Sequence, residues 1–442
     1  MNQRPTLFYA AAAAAMLLSG MLFGASLWLL AAYAGIAMIG GGLWLSSQWN
    51  HATIAVRRPG PTECEVGDSF DVAIEITNQS KIPVVWLLVE DLLPASAYKK
   101  PPPALEIDGS RIEVMLLRGG ETRSLRYRIT CRRRGYFQIG PTVLETGDLM
   151  GLSRRYRLGA APQYILVLPR VVALTGYDIA SARPIGEIQI RDALIQDPTR
   201  MMGIRQWQIG DPMRSVHWPA TARTGTLHTK IYEPTTIAGA TLVLDLHRDT
   251  NPGHHEPVRS DLAITLAASI AAALHDQNQP FALLTNGRDA VDRIRDEGFV
   301  TDFRTRDAAR SSGAMKEQND RLRPVINPSD RGPVHYQTLL RQLARLELSD
   351  GLSIAETIIG SQSRLSRDTT LIVILQQSSP TTAAMLIGMK RRGWAVTVII
   401  NTQGINAYIA AAGPFQAAGI PTIHLTDESA IADATRKASV GH

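Results

Sequence analysis

The sequence is poor in the features that most often mark a catalytic or cofactor site. It holds two cysteines, Cys64 and Cys131, too few for a disulfide framework. It has no Gly-x-x-x-x-Gly-Lys-Ser/Thr loop and no Gly-x-Gly-x-x-Gly, so nothing supports nucleotide binding. No serine or cysteine stands beside an evident base as a nucleophile would. No spacing of histidines, cysteines and acids matches a metal centre. His254, His255 and Glu256 follow Asn251-Pro252-Gly253, and adjacent side chains on such a loop point apart unless it folds back. The net charge of +6 over 442 residues is too slight to indicate nucleic acid. What remains is a chain with an ordinary apolar share, 45%, and enough length for two or three domains.

What is present begins with two long apolar runs, residues 7–24 and 27–45, neither carrying a charge. As helices each would span roughly 27–29 Å, close to the hydrocarbon thickness of a bilayer. Only Ala25 and Ser26 separate them, which predicts a transmembrane helical hairpin within residues 1–50. Trp28, Trp44 and Trp49 lie near the span ends, where interfacial anchors sit. Arg4 precedes the first run, and Arg57 and Arg58 follow the second. Positive charge on both flanks predicts a two-pass protein of the inner or plasma membrane, with both termini and the soluble domains cytoplasmic. Thiols stay reduced there, so Cys64 and Cys131 are expected to be buried and free.

Over residues 51–170 the apolar period is two, as in half-buried strands. Val72, Ile74 and Ile76 alternate with Asp71, Ala73, Glu75 and Thr77. Leu125, Tyr127, Ile129 and Cys131 alternate with Arg126, Arg128, Thr130 and Arg132. Asn78-Gln79-Ser80 and Gly119-Gly120 supply turns. Several such strands predict a β-sandwich domain. Its arginine-rich face, continued by Arg133 and Arg134, reads first as a solvated strand face and second as a surface for anionic headgroups.

Residues 171–235 form a linker that holds the densest cluster of charge and tryptophan. Gly210, Asp211, Arg214, His217, Trp218, Arg223 and Glu233 fall within residues 203–234, with Trp207 and Lys230. Charges in a half-buried segment need partners, so a structural clasp is the simpler reading. The competing one is a hydrolase with His217 as base and Asp211 orienting it. Turns are expected at Gly210-Asp211-Pro212 and Thr224-Gly225, with a short helix within residues 214–222. Gly210-Asp211, Arg214, His217-Trp218, Ala222-Arg223, Leu227 and Glu233 resemble the core motif of the bacterial "domain of unknown function 58" family. Ile209 stands where that motif has proline, and Val216 where it has isoleucine. Residues 134–141 and 148–152 resemble the family's sandwich region.

Residues 236–442 change character. Residues 240–244, 281–284, 371–375 and 394–400 are short continuous apolar runs, the pattern of parallel strands buried on both faces. Helical patterns at 260–275, 336–346 and 381–392 lie between them, which predicts an open α/β domain with right-handed crossovers. Residues 286–333 read as a long polar excursion. Ligands of such sheets sit beyond the strand carboxyl ends, here marked by Asp245, Asn286, Gln376 and Asn401. The domain resembles a von Willebrand factor A domain, whose metal loop reads Asp-x-Ser-x-Ser. In this chain His247 and Asp249 replace the serines, and Gln376 replaces a later aspartate. Magnesium requires hard oxygen ligands, so Asp245, His247, Asp249 and Gln376 form a degenerate loop from which neither metal nor cofactor is expected. The fold class is therefore α/β plus β: transmembrane hairpin, β-sandwich, linker, and open α/β domain.

The first expectation is a non-enzymatic, membrane-anchored interaction protein of the cytoplasm, and the family resemblance implies its partner. It would act with a MoxR-type AAA+ ATPase in assembling or maturing other proteins. Besides that partner, the hairpin implies contact with membrane lipids, and nothing implies nucleic acid. The alternatives are the hydrolase and a self-assembling structural membrane protein.

Overall fold

A computed structural model of the protein describes residues 26–99, 101–148, 154–174, 196–207, 213, 216–234, 239–292, 322–366 and 369–434, together with Ala14, Ala15, Leu18 and Met21. The first apolar run lies almost wholly outside the described residues, and so does most of the polar excursion.

The second apolar run forms helix α1 (Ser26–Ala52), which passes into β1 (Thr53–Arg57) without a linker. Among the described residues two helices are long and apolar enough to cross a membrane, Leu30–Ala52 and Val258–Asp276. The second is a core helix of the α/β domain, with Ile264, Ala267, Ile270 and Leu274 fully buried. In α1 the apolar side chains Leu27, Leu30, Tyr33, Ile36 and Met38 are exposed. Its last turns differ, for Ser46 and Trp49 are fully buried. Trp49 joins the core of the following domain and Leu45 packs against it. Trp49 is thus a core residue where the sequence suggested an interfacial anchor, because the strands that receive it follow at once in the chain.

That following domain has two four-stranded antiparallel sheets. One runs β1–β3–β7–β5, with β3 at Ser69–Asn78, β5 at Leu105–Asp108 and β7 at Thr122–Cys131. The other runs β10–β9–β4–β6, with β4 at Val84–Asp91, β6 at Ile112–Leu117, β9 at Thr142–Gly147 and β10 at Arg154–Ala160. Ile74, Ile76, Leu125 and Ile129 of the first meet Leu87, Val89, Met115 and Leu144 of the second in one core. Alternation places these side chains inward and the polar ones outward. Two arginines of this outward face are paired: Arg128 of β7 with Asp71 at 2.8 Å, and Arg132, just past the strand, with Glu106 at 2.7 Å. Both cysteines are buried and free. Burial, aided by the neighbouring Cys64, pushes the Cys131 thiol up to about 12, so it stays protonated.

Arg57 ends β1 and belongs to this domain. It forms an ion pair with the fully buried Asp91, which also accepts from Tyr127 Oη at 2.5 Å and Thr142 Oγ1 at 2.9 Å. Burial works to lower the Arg57 pKa, but the Asp91 charge and hydrogen bond outweigh it and raise the pKa. Arg58 pairs with Glu75 on the surface.

A third sheet, β2–β11–β8, adjoins the α/β domain; its strands are Glu63–Glu65, Gln163–Leu168 and Gly135–Ile139. The α/β domain is built on a six-stranded sheet ordered β17–β15–β14–β19–β20–β21. Those strands are Val325–Asp330, Phe281–Thr285, Ala240–Leu244, Thr370–Leu375, Val396–Asn401 and Thr422–Leu425. All pairs are parallel except β15 with the edge strand β17. The strands expected at 240–244, 281–284, 371–375 and 394–400 all form. Helices Val258–Asp276 (α4), Pro333–Arg345 (α5), Pro380–Arg391 (α7) and Ile405–Ala417 (α8) flank the sheet; the short helices Ala95–Tyr98 (α2), Trp218–Thr224 (α3) and Ile354–Ser361 (α6) complete the order up to Ser429–Ala434 (α9).

The two domains are joined by arginines. Arg133 Nε donates to Asp261 Oδ2 at 2.5 Å, and Arg134 Nε lies 3.1 Å from Asp261 Oδ1. Arg134 Nη1 also donates to the carbonyls of Leu343, Ala344 and Leu346, at 3.3, 3.3 and 2.8 Å. These carbonyls end α5, where backbone acceptors lack helical partners and cations are favoured. Burial lowers the Arg134 pKa, and the Asp261 charge opposes that shift only in part. Arg341 of α5 reaches Glu63 at 3.0 Å.

Candidate functional site

The strand carboxyl ends of the α/β sheet gather the polar residues picked out in the sequence. The order of the sheet reverses between β14 and β19, and a crevice at such a switch point is where open α/β sheets take ligands. Asp245 follows β14, Asn286 follows β15, Gln376 follows β19, and Asn401 ends β20; all four are buried. The loop after β14 folds back on Asp245. Oδ1 accepts from Asn286 Nδ2 at 2.8 Å and from the His247 amide at 3.1 Å, while Oδ2 accepts from Thr250 Oγ1 at 2.8 Å. Asn286 Oδ1 in turn accepts from the Leu246 amide at 2.7 Å. Burial raises the Asp245 pKa, and the hydrogen bonds from Asn286, Thr250 and His247 oppose that rise.

The rest of the loop points elsewhere. His247 Nδ1 accepts from the Asp249 amide at 3.2 Å, which leaves the proton on Nε2, 3.2 Å from the Gly351 carbonyl. The Asp249 side chain is 89% exposed. Gln376 Nε2 donates to Glu256 Oε1 at 3.0 Å, away from Asp245. Glu256 Oε2 accepts from the Ser260 amide in the first turn of α4 at 3.2 Å. The His254 and His255 rings do not point apart: the loop turns back, with the His255 amide donating to the Pro252 carbonyl at 2.9 Å, and the ring centroids lie 3.9 Å from each other. Among the described residues no three His, Cys, Asp or Glu side chains are placed to hold a metal ion. The donor set at Asp245 does not fit magnesium: both carboxylate oxygens are engaged, Asp249 faces solvent, and an imidazole and an amide complete the group. Sequence reasoning missed Asn286 and Thr250 as Asp245's partners. The only signal was their placement at a strand end and within the loop.

The motif of residues 203–234 forms a hairpin. Strands β12 (Gln196–Gln206) and β13 (His228–Pro234) pair antiparallel, with Arg205 opposite Thr229. Helix α3 interrupts their connection. His217 Nδ1 accepts from the Ala220 amide at 3.1 Å and so caps that helix. Gly225, at φ 70°, ends it in the left-handed region. Trp218 is 62% exposed, so it is not the half-buried residue expected from the composition. Arg223 is exposed. Gly210, Asp211 and Arg214 lie outside the described residues, as does the side chain of Glu233. The arrangement of His217 is that of a structural cap, with its Nδ1 occupied.

The uncharacterized protein YeaD of Bacillus subtilis (strain 168) is 21% identical over 193 residues, which cover 43% of this chain and 47% of that protein. The match thus spans about half the length of that curated relative. Among solved structures, a Salmonella α-2-macroglobulin is 18% identical over 28% of this chain and 7% of its own, with a TM-score of 0.21. The CARDB domain of PF1109 from Pyrococcus furiosus is 14% identical over 26% of this chain and 91% of its own, with a TM-score of 0.19. Residues 203–297, which carry both the His217 hairpin and the Asp245 loop, match the model of the family described as "Protein of unknown function DUF58".

Proposed function

We propose that this chain is a membrane-anchored interaction protein of the cytoplasm, and that it works without a bound metal. The observation that carries this reading is helix α1. Its side chains Leu27, Leu30, Tyr33, Ile36 and Met38 are exposed, and Trp44 is exposed just before the turns that enter the two-sheet core. Residues 26–44 would span about 28 Å, enough to cross a bilayer. With the first apolar run they would make a two-pass hairpin, both termini cytoplasmic. The two-sheet domain is then a β-sandwich held at the membrane. The α/β sheet, with its antiparallel edge strand β17, is then a von Willebrand factor A-like domain presenting its strand-end loops to a partner.

The network at Asp245 supports partner contact without a bridging ion, because both of its carboxylate oxygens already accept hydrogen bonds from within the fold. The partner implied by the family resemblance is a MoxR-type AAA+ ATPase, and the work is assembly or maturation of other proteins. The test uses the full chain in detergent with the purified ATPase encoded in the same genome. Co-elution that persists in EDTA is the expected result. Co-elution abolished by EDTA and restored by magnesium contradicts the metal-free reading, and no co-elution contradicts the partner.

A further inference from the structure

The end of the two-sheet domain from which α1 departs carries a patch that the core does not use. The strand register brings that end together: Val84 lies opposite Leu117, and Leu88 opposite Glu145, so Val85, Leu116 and Asp148 share one end of the sheet. Trp86 Nε1 donates to the Asp148 carbonyl there at 3.4 Å. Helix α1 passes the same point, where a Cβ on Gly42 would sit 3.2 Å from the Cβ of Asp148. Val85 is 43% exposed and Leu116 is 48% exposed. Both point away from the core that takes Val84 and Leu117.

The loops at this end are cationic. Arg123 pairs with Glu121 and Arg154 with Glu145, and Lys81 and Arg118 add two positive charges against the one buried carboxylate of Asp148. Both are exposed. Their backbones are held side by side: Asn78 Nδ2 donates to the carbonyls of Ile82 and Arg118, at 2.9 and 3.1 Å. A Cβ on Gly119 would sit 2.6 Å from the Lys81 carbonyl oxygen, so only glycine allows this approach.

Apolar side chains flanked by cations, at the point where an apolar helix leaves, fit one surface. We infer that this end of the domain rests on an anionic bilayer surface, with Val85 and Leu116 at the acyl boundary and Lys81 and Arg118 against lipid phosphates. The occupant is the membrane into which α1 runs, because the helix passes Asp148 at this same end of the sheet. Positive charge near an anionic leaflet adds attraction that falls off within a Debye length. The sheet would then lie tilted onto the lipid and the α/β domain would be set at a fixed height. The inference rests on the membrane reading of α1.

The test uses the full chain in lipid nanodiscs with an environment-sensitive fluorophore at Leu116→Cys or, separately, Leu30→Cys. The native thiols are buried and stay unlabelled. The discs hold zwitterionic lipid alone or mixed with phosphatidylglycerol, and nitroxide quenchers sit on the headgroup or the acyl chain. The expected result is quenching at position 30 by acyl-chain nitroxide in both lipids. At position 116, headgroup nitroxide should quench several-fold more strongly with phosphatidylglycerol, and Lys81→Glu with Arg118→Glu should abolish that gain. Quenching at 30 but not at 116, or equal quenching at 116 in both lipids, overturns the inference and leaves the membrane reading intact. Quenching at neither position overturns both.

Discussion

Helix α1 meets the two-sheet domain through Trp49 and Leu45, whereas the α/β domain meets it through Arg133, Arg134 and Asp261. The first seam is apolar and continuous with the chain. The second is ionic and joins elements far apart in sequence. The difference lies in what each seam can tolerate. Removing an apolar anchor leaves a cavity, with a cost set by how far the surroundings collapse. Removing one member of a buried ion pair leaves the other without compensation. An apolar seam sets proximity, and an ionic one with carbonyl acceptors also sets orientation, because the guanidinium fork fixes its angle.

Four substitutions sharpen or break this contrast, each read from thermal or denaturant unfolding of the full chain in detergent. Trp49→Ala should have the largest effect, about 4 kcal/mol, by opening a cavity in the two-sheet core. A loss under half that size would mean that α1 is only loosely seated. Asp261→Ala should cost about 3 kcal/mol, because Arg134 would remain buried beside Arg133 without an anion. If Asp261→Ala equals wild type, the interdomain seam is held by packing and not by charge. His217→Ala lies in neither seam and should cost about 1 kcal/mol, the usual value of a lost helix cap. It should leave co-elution with the ATPase unchanged, and loss of co-elution at unchanged stability would reassign the residue to function. Arg128→Ala, on the solvated face of β7, should leave the melting temperature where it is. A clear shift there would show that surface pairing carries more than its exposure suggests.

The α/β domain was legible because its strands are continuous apolar runs flanked by helical patterns, and buried parallel strands admit little else. The strands containing Ile74 and Ile129 were legible for the opposite reason, since one wet face imposes alternation. Trp49 misled, and the pairing of Arg57 stayed hidden, because local sequence reports amphipathicity and not depth. A tryptophan at the end of an apolar run, and an arginine just after it, match a membrane boundary as well as they match a core. What settles them is Asp91, brought to Arg57 by the pairing of strands remote in sequence. Arg133 and Arg134 prolong an arginine-rich strand, and only the docking of α5 distinguishes them from Arg128. At the candidate site, Asp245 and Gln376 could be placed at strand ends. The fact that Asn286 and Thr250 close around Asp245 depends on loop conformation, which no periodicity encodes.

The central claim is that α1 anchors the chain in a membrane with every folded domain on the cytoplasmic side. The direct measurement is labelling of Ser363→Cys, an exposed position, by a membrane-impermeant maleimide in cells stripped of their outer layers. The full chain should stay with carbonate-washed membranes, and Ser363→Cys should react only after the cells are permeabilised. Labelling in intact cells, or a chain released into the carbonate supernatant, would contradict the account.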